Sequence, residues 1–412
     1  MRVLLLLQCC FVIVRLGSSA AQAADWPGWR APDGTGIAAG SDLPLASGLA
    51  EQVKWRAAVP GRGHGSAIVV GDRIYLATAE REREARSLLC LDRASGDVVW
   101  HRDVHLGKLT PFKNEKASDA SSTPACDGER LFINFLHDGG MYTSAVSLDG
   151  ELLWQTRVCD YVVHQGFGSS PRVHGPLVLV SADNKRGGAV AGLRREDGTI
   201  IWKQDRPQKP NYASPVVHTV CGREQLLMTG CDLVSSFDPL TGDKLWEVEG
   251  ATTECVTTTI VAGELLFTSG GYPTNHISAV RCDGSGEVAW KNGVRVYVPS
   301  MLTRGNALFA VTDAGVAMCW DSQTGAESWK GRLGGGFSAS PVLVGDQIWA
   351  INEAGEMFVF RASPEQFDLL ADGKLGDECF ATPTIVGGEV YVRVARREGD
   401  RRVESLIRLG AN

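Results

Sequence analysis

The sequence predicts an all-β fold, an eight-bladed β-propeller of four-stranded antiparallel blades that is closed by an N-terminal strand. Three observations predict it. A turn-and-tryptophan motif recurs along the chain, a run of small residues before proline recurs between its copies, and the tryptophans follow one another about every 45 residues. A unit of this length with several short strands is typical of a propeller blade, not of a helical solenoid.

The turn motif places a glycine four residues before a tryptophan in six copies. Those pairs are Gly96–Trp100, Gly150–Trp154, Gly198–Trp202, Gly242–Trp246, Gly286–Trp290 and Gly325–Trp329. Glycine accepts the positive φ of a tight turn, and the Asp that opens most copies can bond to the turn backbone. We therefore predict a hairpin ending on each tryptophan. The repeat tryptophans are predicted to be structural, packed between blades: Trp55, Trp100, Trp154, Trp202, Trp246, Trp290 and Trp329.

The second signal is a pair of small residues followed by proline, as in Ser169-Ser170-Pro171 and Ala381-Thr382-Pro383. Together with related segments it marks where the first strand of each blade should begin. Eight such starts are predicted, near Ser66, Ser121, Ser169, Ala213, Thr257, Val298, Ala339 and Ala381.

Two blades depart from the pattern. The eighth has only three strands before Asn412, and its fourth is predicted to come from Glu51 to Trp55, which would leave no open edge in the ring. The seventh ends near Phe367 without a tryptophan. The predicted organisation is a signal peptide at 1–23, a leader at 24–49 and a single propeller domain at 50–412.

The composition excludes some classes of function. The 41 Lys and Arg against 48 Asp and Glu give a formal charge of −7, which rules out a broad basic surface for nucleic acid. Glycine is abundant at 48 residues, as many tight turns require.

The first residues are typical of export. Arg2 precedes an apolar stretch from Val3 to Val14, and an A-x-A site ends at Ala23. The apolar stretch is short for a membrane span, so an uncleaved anchor is the disfavoured alternative. We predict an exported protein, periplasmic or secreted, monomeric, and without a transmembrane segment after cleavage.

Nine cysteines follow the predicted signal peptide, an odd number with no CxxC and no adjacent pair. Several lie in strand-like runs, where a small buried hydrophobe is expected. We predict mostly free, buried thiols and no zinc site.

The repeats resemble the PQQ-like (pyrroloquinoline quinone) β-propeller repeat family, whose unit reads roughly LYALDAKTGKVLW and stands here at 88–100. The resemblance covers about 50–412. The segment that begins Asp25-Trp26-Pro27-Gly28-Trp29-Arg30 is similar to the leader of exported members from planctomycetes and related bacteria. Two branches share the repeat: quinoprotein alcohol dehydrogenases, which hold the quinone and calcium in the central channel, and BamB, a non-enzymatic propeller of outer-membrane assembly.

The resemblance implies what a quinone site would need: an aromatic floor, cations for three carboxylates, an acidic base, calcium ligands and an adjacent cysteine pair. Only Cys9 and Cys10 are adjacent, and they leave with the signal peptide. No tryptophan is predicted to lie across the channel. We therefore expect no cofactor, with pyrroloquinoline quinone and Ca²⁺ as the disfavoured alternative.

An aromatic residue or His precedes the first strand of most blades, and polar residues occupy several loops between second and third strands. Both sets should meet at one mouth of the channel and form a rim that recognises a ligand. The alternative is that each ring packs between blades as part of the scaffold, and His164 is then a loop histidine. The rim residues are Arg62, His64, His137, Phe167, Asn184, Lys185, Tyr212, His276, Tyr297, Phe337 and Phe380.

The predicted function is that of an exported binding or scaffold protein, distantly similar to BamB, that recognises a protein partner or small ligand of the cell envelope at this rim. No catalytic residue is assigned. The alternative is a PQQ-dependent quinoprotein oxidoreductase of the alcohol or sugar dehydrogenase type.

Overall fold

The computed structural model describes residues 25–45, 48–109 and 111–410, and the predicted signal peptide lies outside them. Within these ranges thirty-three strands, β1 to β33, form eight sheets, which confirms the predicted eight-bladed all-β propeller. Within each blade consecutive strands pair antiparallel, and the second and third strands are mostly buried while the fourth is the most exposed. Each first strand begins two to four residues after its predicted start.

The strands of the first four blades follow one another without interruption. Blade 1 holds β3 (Ile68–Val70), β4 (Arg73–Glu80), β5 (Ala85–Asp92) and β6 (Val98–Leu106). Blade 2 holds β7 (Ala125–Cys126), β8 (Arg130–His137), β9 (Gly140–Ser147) and β10 (Leu152–Asp160). Blade 3 holds β11 (Arg172–His174), β12 (Leu177–Ser181), β13 (Ala189–Arg194) and β14 (Ile200–Asp205). Blade 4 holds β15 (Val216–Val220), β16 (Arg223–Gly230), β17 (Leu233–Phe237) and β18 (Lys244–Glu249).

The remaining blades include the two strands contributed by the N-terminal part of the chain. Blade 5 holds β19 (Ile260–Ala262), β20 (Leu265–Gly270), β21 (His276–Arg281) and β22 (Val288–Asn292). Blade 6 holds β23 (Leu302–Arg304), β24 (Ala307–Val311), β25 (Val316–Asp321) and β26 (Glu327–Arg332). Blade 7 holds β27 (Val342–Val344), β28 (Gln347–Ile351), β29 (Glu356–Arg361), β30 (Leu369–Lys374) and, parallel to β27, β1 (Ile37–Ala38). Blade 8 holds β31 (Thr384–Val386), β32 (Glu389–Glu398), β33 (Arg401–Gly410) and β2 (Val53–Val59). Two short 3₁₀ helices span Leu49–Gln52 and Arg81–Arg83.

The ring closes through β2, as the sequence predicts. This strand pairs antiparallel with β33 and supplies the outer edge of blade 8, with Trp55 opposite Arg408. It extends to Val59, four residues beyond the predicted Trp55. The seventh blade also has an outer strand, β30, which begins just after the Phe367 where the pattern ends.

The repeat tryptophans join neighbouring blades. The Trp202 Nε1–H donates to the Pro239 carbonyl of the next blade at 3.2 Å, and five other repeat tryptophans make the matching bond. Trp246 instead donates to Gln225 Oε1, and Gln225 Nε2 donates to the Cys282 carbonyl of the next blade. Every repeat indole is thus held, directly or through Gln225, on the adjacent blade.

Each turn requires a glycine because the tryptophan indole of the preceding blade lies against it. Gly242 has φ of +76°, and a Cβ there would lie 2.5 Å from the Trp202 ring. Asp238 opens the same turn, and its Oδ1 accepts from the amides of Leu240 and Thr241 at 2.9 and 3.0 Å.

The Ser or Thr before proline, and the residue at the same position of the blades without that proline, form what we call the hydroxyl belt around the channel. In six places a backbone amide donates to the Ser or Thr hydroxyl at the corresponding position of the next blade, at 2.9 to 3.0 Å. The pairs are Ser66–Thr123, Thr123–Ser170, Ser170–Ser214, Thr258–Ser300, Ser300–Ser340 and Ser340–Thr382. The motif therefore joins the inner strands of neighbouring blades.

The leader crosses the channel. Trp26 pairs with Val69 of blade 1 through both backbone groups, at 2.8 and 3.0 Å. Further along, Arg30 Nη2 donates to the Met301 carbonyl just before β23 of blade 6, and the Gly36 carbonyl accepts from Leu343 of blade 7. The leader is thus bound to the inner strands of blades 1, 6 and 7 and crosses one end of the channel.

Candidate functional site

A cavity of about 670 Å³ occupies the end of the channel where the first strands begin. We call it the funnel. Its volume is in the range of small-molecule sites, which commonly hold about 300 to 1,000 Å³. Lys116 and Tyr272 lie at its exposed mouth, and Trp29 of the leader lies at the opposite end. The funnel therefore extends from these exposed side chains to the leader.

The structure brings five of the predicted rim residues to the funnel: His64, Phe167, Tyr212, Tyr297 and Phe380. The rings of His64 and Phe380 lie 4.4 Å apart, centre to centre. Burial, followed by the nearby arginines, lowers the pKa of His64 well below its usual value, so this imidazole is neutral.

Three other predicted rim residues lie away from the funnel, where their side chains contact neighbouring loops. The Arg62 Nη2 donates to the Glu115 carbonyl beside a second, smaller cavity. The His137 ring stacks on His105 at 4.6 Å. Asn184 is buried, and its side-chain amide donates to carbonyls of its own loop and of Asp160.

The last three predicted rim residues also lie outside the funnel. Lys185 is exposed on its loop. His276 is buried at the start of β21. Phe337 is buried and packs near Phe358, with ring centres 6.1 Å apart, as expected for a residue of the scaffold.

The most polar part of the funnel wall is built around Glu254. Its side chain is 6% exposed; Oε1 lies 3.2 Å from His164 Nε2, and Oε2 accepts from the Tyr297 hydroxyl at 2.9 Å. Burial, and then Glu254, raises the pKa of both Tyr297 and Tyr212, so both phenols stay protonated. We call His164, Glu254 and Tyr297 the Glu254 cluster. It presents a carboxylate already fixed by two neighbours.

Two cations lie at the mouth, and both have partners. The Lys116 Nζ pairs with Glu353 Oε2 at 2.7 Å, which links the segment after blade 1 to a loop of blade 7. The Arg295 guanidinium lies 4.9 Å from the centre of the Tyr297 ring and donates to the Gly271 carbonyl at 3.1 Å. Arg295 therefore covers one face of a phenol of the Glu254 cluster.

Sequence reasoning missed the floor and most of this wall. Trp29 faces the cavity, although no tryptophan was predicted across the channel. Its Nε1–H donates to Thr258 Oγ1 at 2.7 Å, across 229 residues of sequence. Glu254 was missed because nothing local marks it. His164, considered only as a loop histidine, is its partner.

The nine cysteines after the predicted signal peptide are all free thiols in the structure, and seven are buried, as predicted. Burial raises the pKa of the Cys126 thiol to about 11, so it stays protonated. Among the described residues no group of three or more His, Cys, Asp or Glu side chains is arranged to hold a metal ion. Within the same ranges no helix has the length and apolarity to cross a membrane.

The fold and the funnel define a class: an eight-bladed repeat propeller whose channel is crossed by its own leader. The sequence matches the profile of one family over residues 50–158, 86–331 and 273–363. The chain belongs to that family, which is described as outer membrane protein assembly factor BamB.

Solved structures with the same fold include a BamB protein and a quinoprotein alcohol dehydrogenase. BamB from Moraxella catarrhalis is 14% identical with a TM-score of 0.60, over 86% of this chain and 96% of that one. A quinohemoprotein alcohol dehydrogenase from Comamonas testosteroni is 13% identical with a TM-score of 0.70, over 95% of this chain and 81% of that one.

One curated relative is more similar in sequence. A polyvinylalcohol dehydrogenase from a Pseudomonas species is 27% identical over 207 residues, 45% of this chain. The match spans only 29% of that dehydrogenase.

Proposed function

We propose that this protein is an exported, non-enzymatic binding or scaffold module that holds a ligand, or a segment of an envelope partner, in the funnel. The cavity carries the proposal, because a concave site lined by aromatic rings and a few fixed polar groups is what recognition requires. The family membership supports it, since that family is described by an assembly factor. Export rests on the predicted signal peptide.

A quinoprotein oxidoreductase is the second candidate, favoured by the match to polyvinylalcohol dehydrogenase. The funnel offers the quinone a flat floor in Trp29 and a carboxylate in Glu254. It offers little else, because three quinone carboxylates would face Arg295 and a Lys116 already bound to Glu353. Calcium takes six to eight oxygen ligands, and the described residues hold no suitable cluster of carboxylates. The lining does not fit the quinone and calcium together.

Binding in the funnel is testable with the uncharged fluorophore 6-propionyl-2-(dimethylamino)naphthalene (prodan). We expect one saturable site per chain, lost in Val256→Trp, because Val256 is a half-buried residue of the funnel lining. Val162→Trp is the matched control at an exposed position outside that lining. Equal prodan affinity in both variants would contradict the proposal.

A second assay separates the two candidates. The purified protein is incubated with pyrroloquinoline quinone and calcium, and dye-linked oxidation of ethanol and of polyvinyl alcohol is followed. We expect no turnover. Oxidation that depends on the quinone and disappears in Val256→Trp would establish the oxidoreductase and refute the non-enzymatic reading.

A further inference from the structure

The floor of the funnel is an apolar ring with its polar atom already used. The Trp29 Nε1–H is bound to Thr258 Oγ1, which fixes the orientation of the indole. The residue is half-buried and lines the cavity. With its N–H satisfied, Trp29 offers a ligand only ring surface, so the part of a ligand that reaches it must present an apolar face.

The walls above the floor require the opposite chemistry. The hydroxyls of Ser170, Ser214 and Ser340 line the cavity, and each accepts a backbone amide through the hydroxyl belt. A hydroxyl that accepts one bond still has its own proton to donate. Glu254 has lone pairs beyond the bond that it accepts from Tyr297 and its contact with His164. A wholly apolar ligand would cover these groups without replacing their hydrogen bonds to water, which is unfavourable.

The charges of the funnel do not favour an ionic ligand of either sign. Lys116 is bound to Glu353, and Arg295 is stacked on Tyr297. Glu254 is held by His164 and Tyr297. A ligand carrying a net charge would have to displace one of these partners, whereas a neutral ligand with many hydroxyls can add to them.

We propose that the ligand is a neutral saccharide, with one sugar ring stacked on Trp29 and its hydroxyls bonded to Glu254 and to the serines of the hydroxyl belt. The inference rests on the proposed function, since it names the ligand class of the same funnel. Trp29 sets the specificity, and the leader is therefore part of the binding site.

The test is calorimetric titration with three probes: maltotriose, cellotriose and tri-N-acetylchitotriose. We expect at least one to bind with one site per chain. Trp29→Ala should weaken that binding by about tenfold or more, because removal of a stacking platform typically has this effect. Trp29→Phe keeps a ring but loses the bond to Thr258, so its saccharide affinity should lie between those of the wild type and Trp29→Ala. Trp26→Phe is the matched control, since Trp26 is a buried leader tryptophan outside the funnel lining.

The outcomes separate the two proposals. Prodan binding that Val256→Trp abolishes, with no heat from any of the three saccharides at millimolar concentration, would overturn the saccharide proposal and leave the binding function standing. Saccharide affinity unchanged in Trp29→Ala would also overturn the saccharide proposal. A wild-type protein that binds neither prodan nor saccharide would overturn both proposals.

Discussion

The seam between blade 8 and blade 1 depends on a buried ion pair, and we expect its loss to be costly. Arg393 on β32 and Glu404 on β33 are 1% and 2% exposed, with Nη2 and Oε2 2.5 Å apart. Arg393 also donates to the Ala77 carbonyl and to Thr78 Oγ1 on β4. The guanidinium therefore connects the last strands of the ring to the first blade.

The substitution Arg393→Met leaves Glu404 charged and buried. Breaking one side of a buried pair typically costs about 3 to 5 kcal/mol. Glu404 keeps Arg402 at 2.9 Å and the Gly63 amide at 3.0 Å, so we expect about 3 kcal/mol, the lower end of that range. The double variant Arg393→Met/Glu404→Leu should lose less than the single one, because no uncompensated charge remains.

Urea unfolding followed by fluorescence measures these differences. The control is Arg361→Met, whose pair with Asp368 at 3.0 Å is about 40% exposed on both sides and should cost under about 1 kcal/mol. The reasoning is refuted if Arg393→Met costs no more than Arg361→Met. It is also refuted if the losses of Arg393→Met and Glu404→Leu simply add in the double variant, since that would mean no coupling.

Two further predictions concern a turn and a buried histidine. Gly242 and Gly222 have the same φ of +76°, but only at Gly242 would an added Cβ lie against Trp202. We therefore expect Gly242→Ala to lower the free energy of unfolding by about 1 to 3 kcal/mol more than Gly222→Ala does. Equal losses in the two variants would show that the ring contact does not matter. Burial, followed by nearby positive charge, lowers the pKa of His105 to about 3, against about 6.5 in the unfolded chain. Below pH 6.5 the unfolded state therefore takes up a proton that the folded state does not, and stability falls as the pH falls toward the folded pKa. Between pH 7 and 5 the wild type should lose about 2 kcal/mol more than His105→Gln in urea unfolding, whereas parallel pH profiles would exclude His105 as the cause.

The architecture could be predicted because its determinants are local. An Asp, a glycine and a tryptophan within nine residues specify a hairpin, as at Asp238–Trp246, and eight repeats specify the ring. The closing strand β2 was predictable for the same reason, since an incomplete eighth blade requires a partner. Its end at Val59 was not, because pairing with β33 determines where it stops.

The site could be predicted only in part, because it is assembled from distant residues. Five rim residues reach the funnel since the segment before each first strand opens on the mouth. The Glu254 cluster joins segments before blades 3, 5 and 6, and no local pattern relates His164, Glu254 and Tyr297. Phe337 has the same sequence context as Phe380, yet it is buried near Phe358.

The pairing of β2 with β33 has a consequence for the order of events when this chain is made. The edge of β2 has no partner until β33 has left the ribosome, so β2 stays unpaired while every intervening blade is synthesised. An unpaired strand edge is a site of aggregation, and pairing between distant segments is slow. Premature termination before Arg401 would therefore release a chain with two unsatisfied edges, one on β2 and one on β32, and we expect such products to be handled by proteases or chaperones.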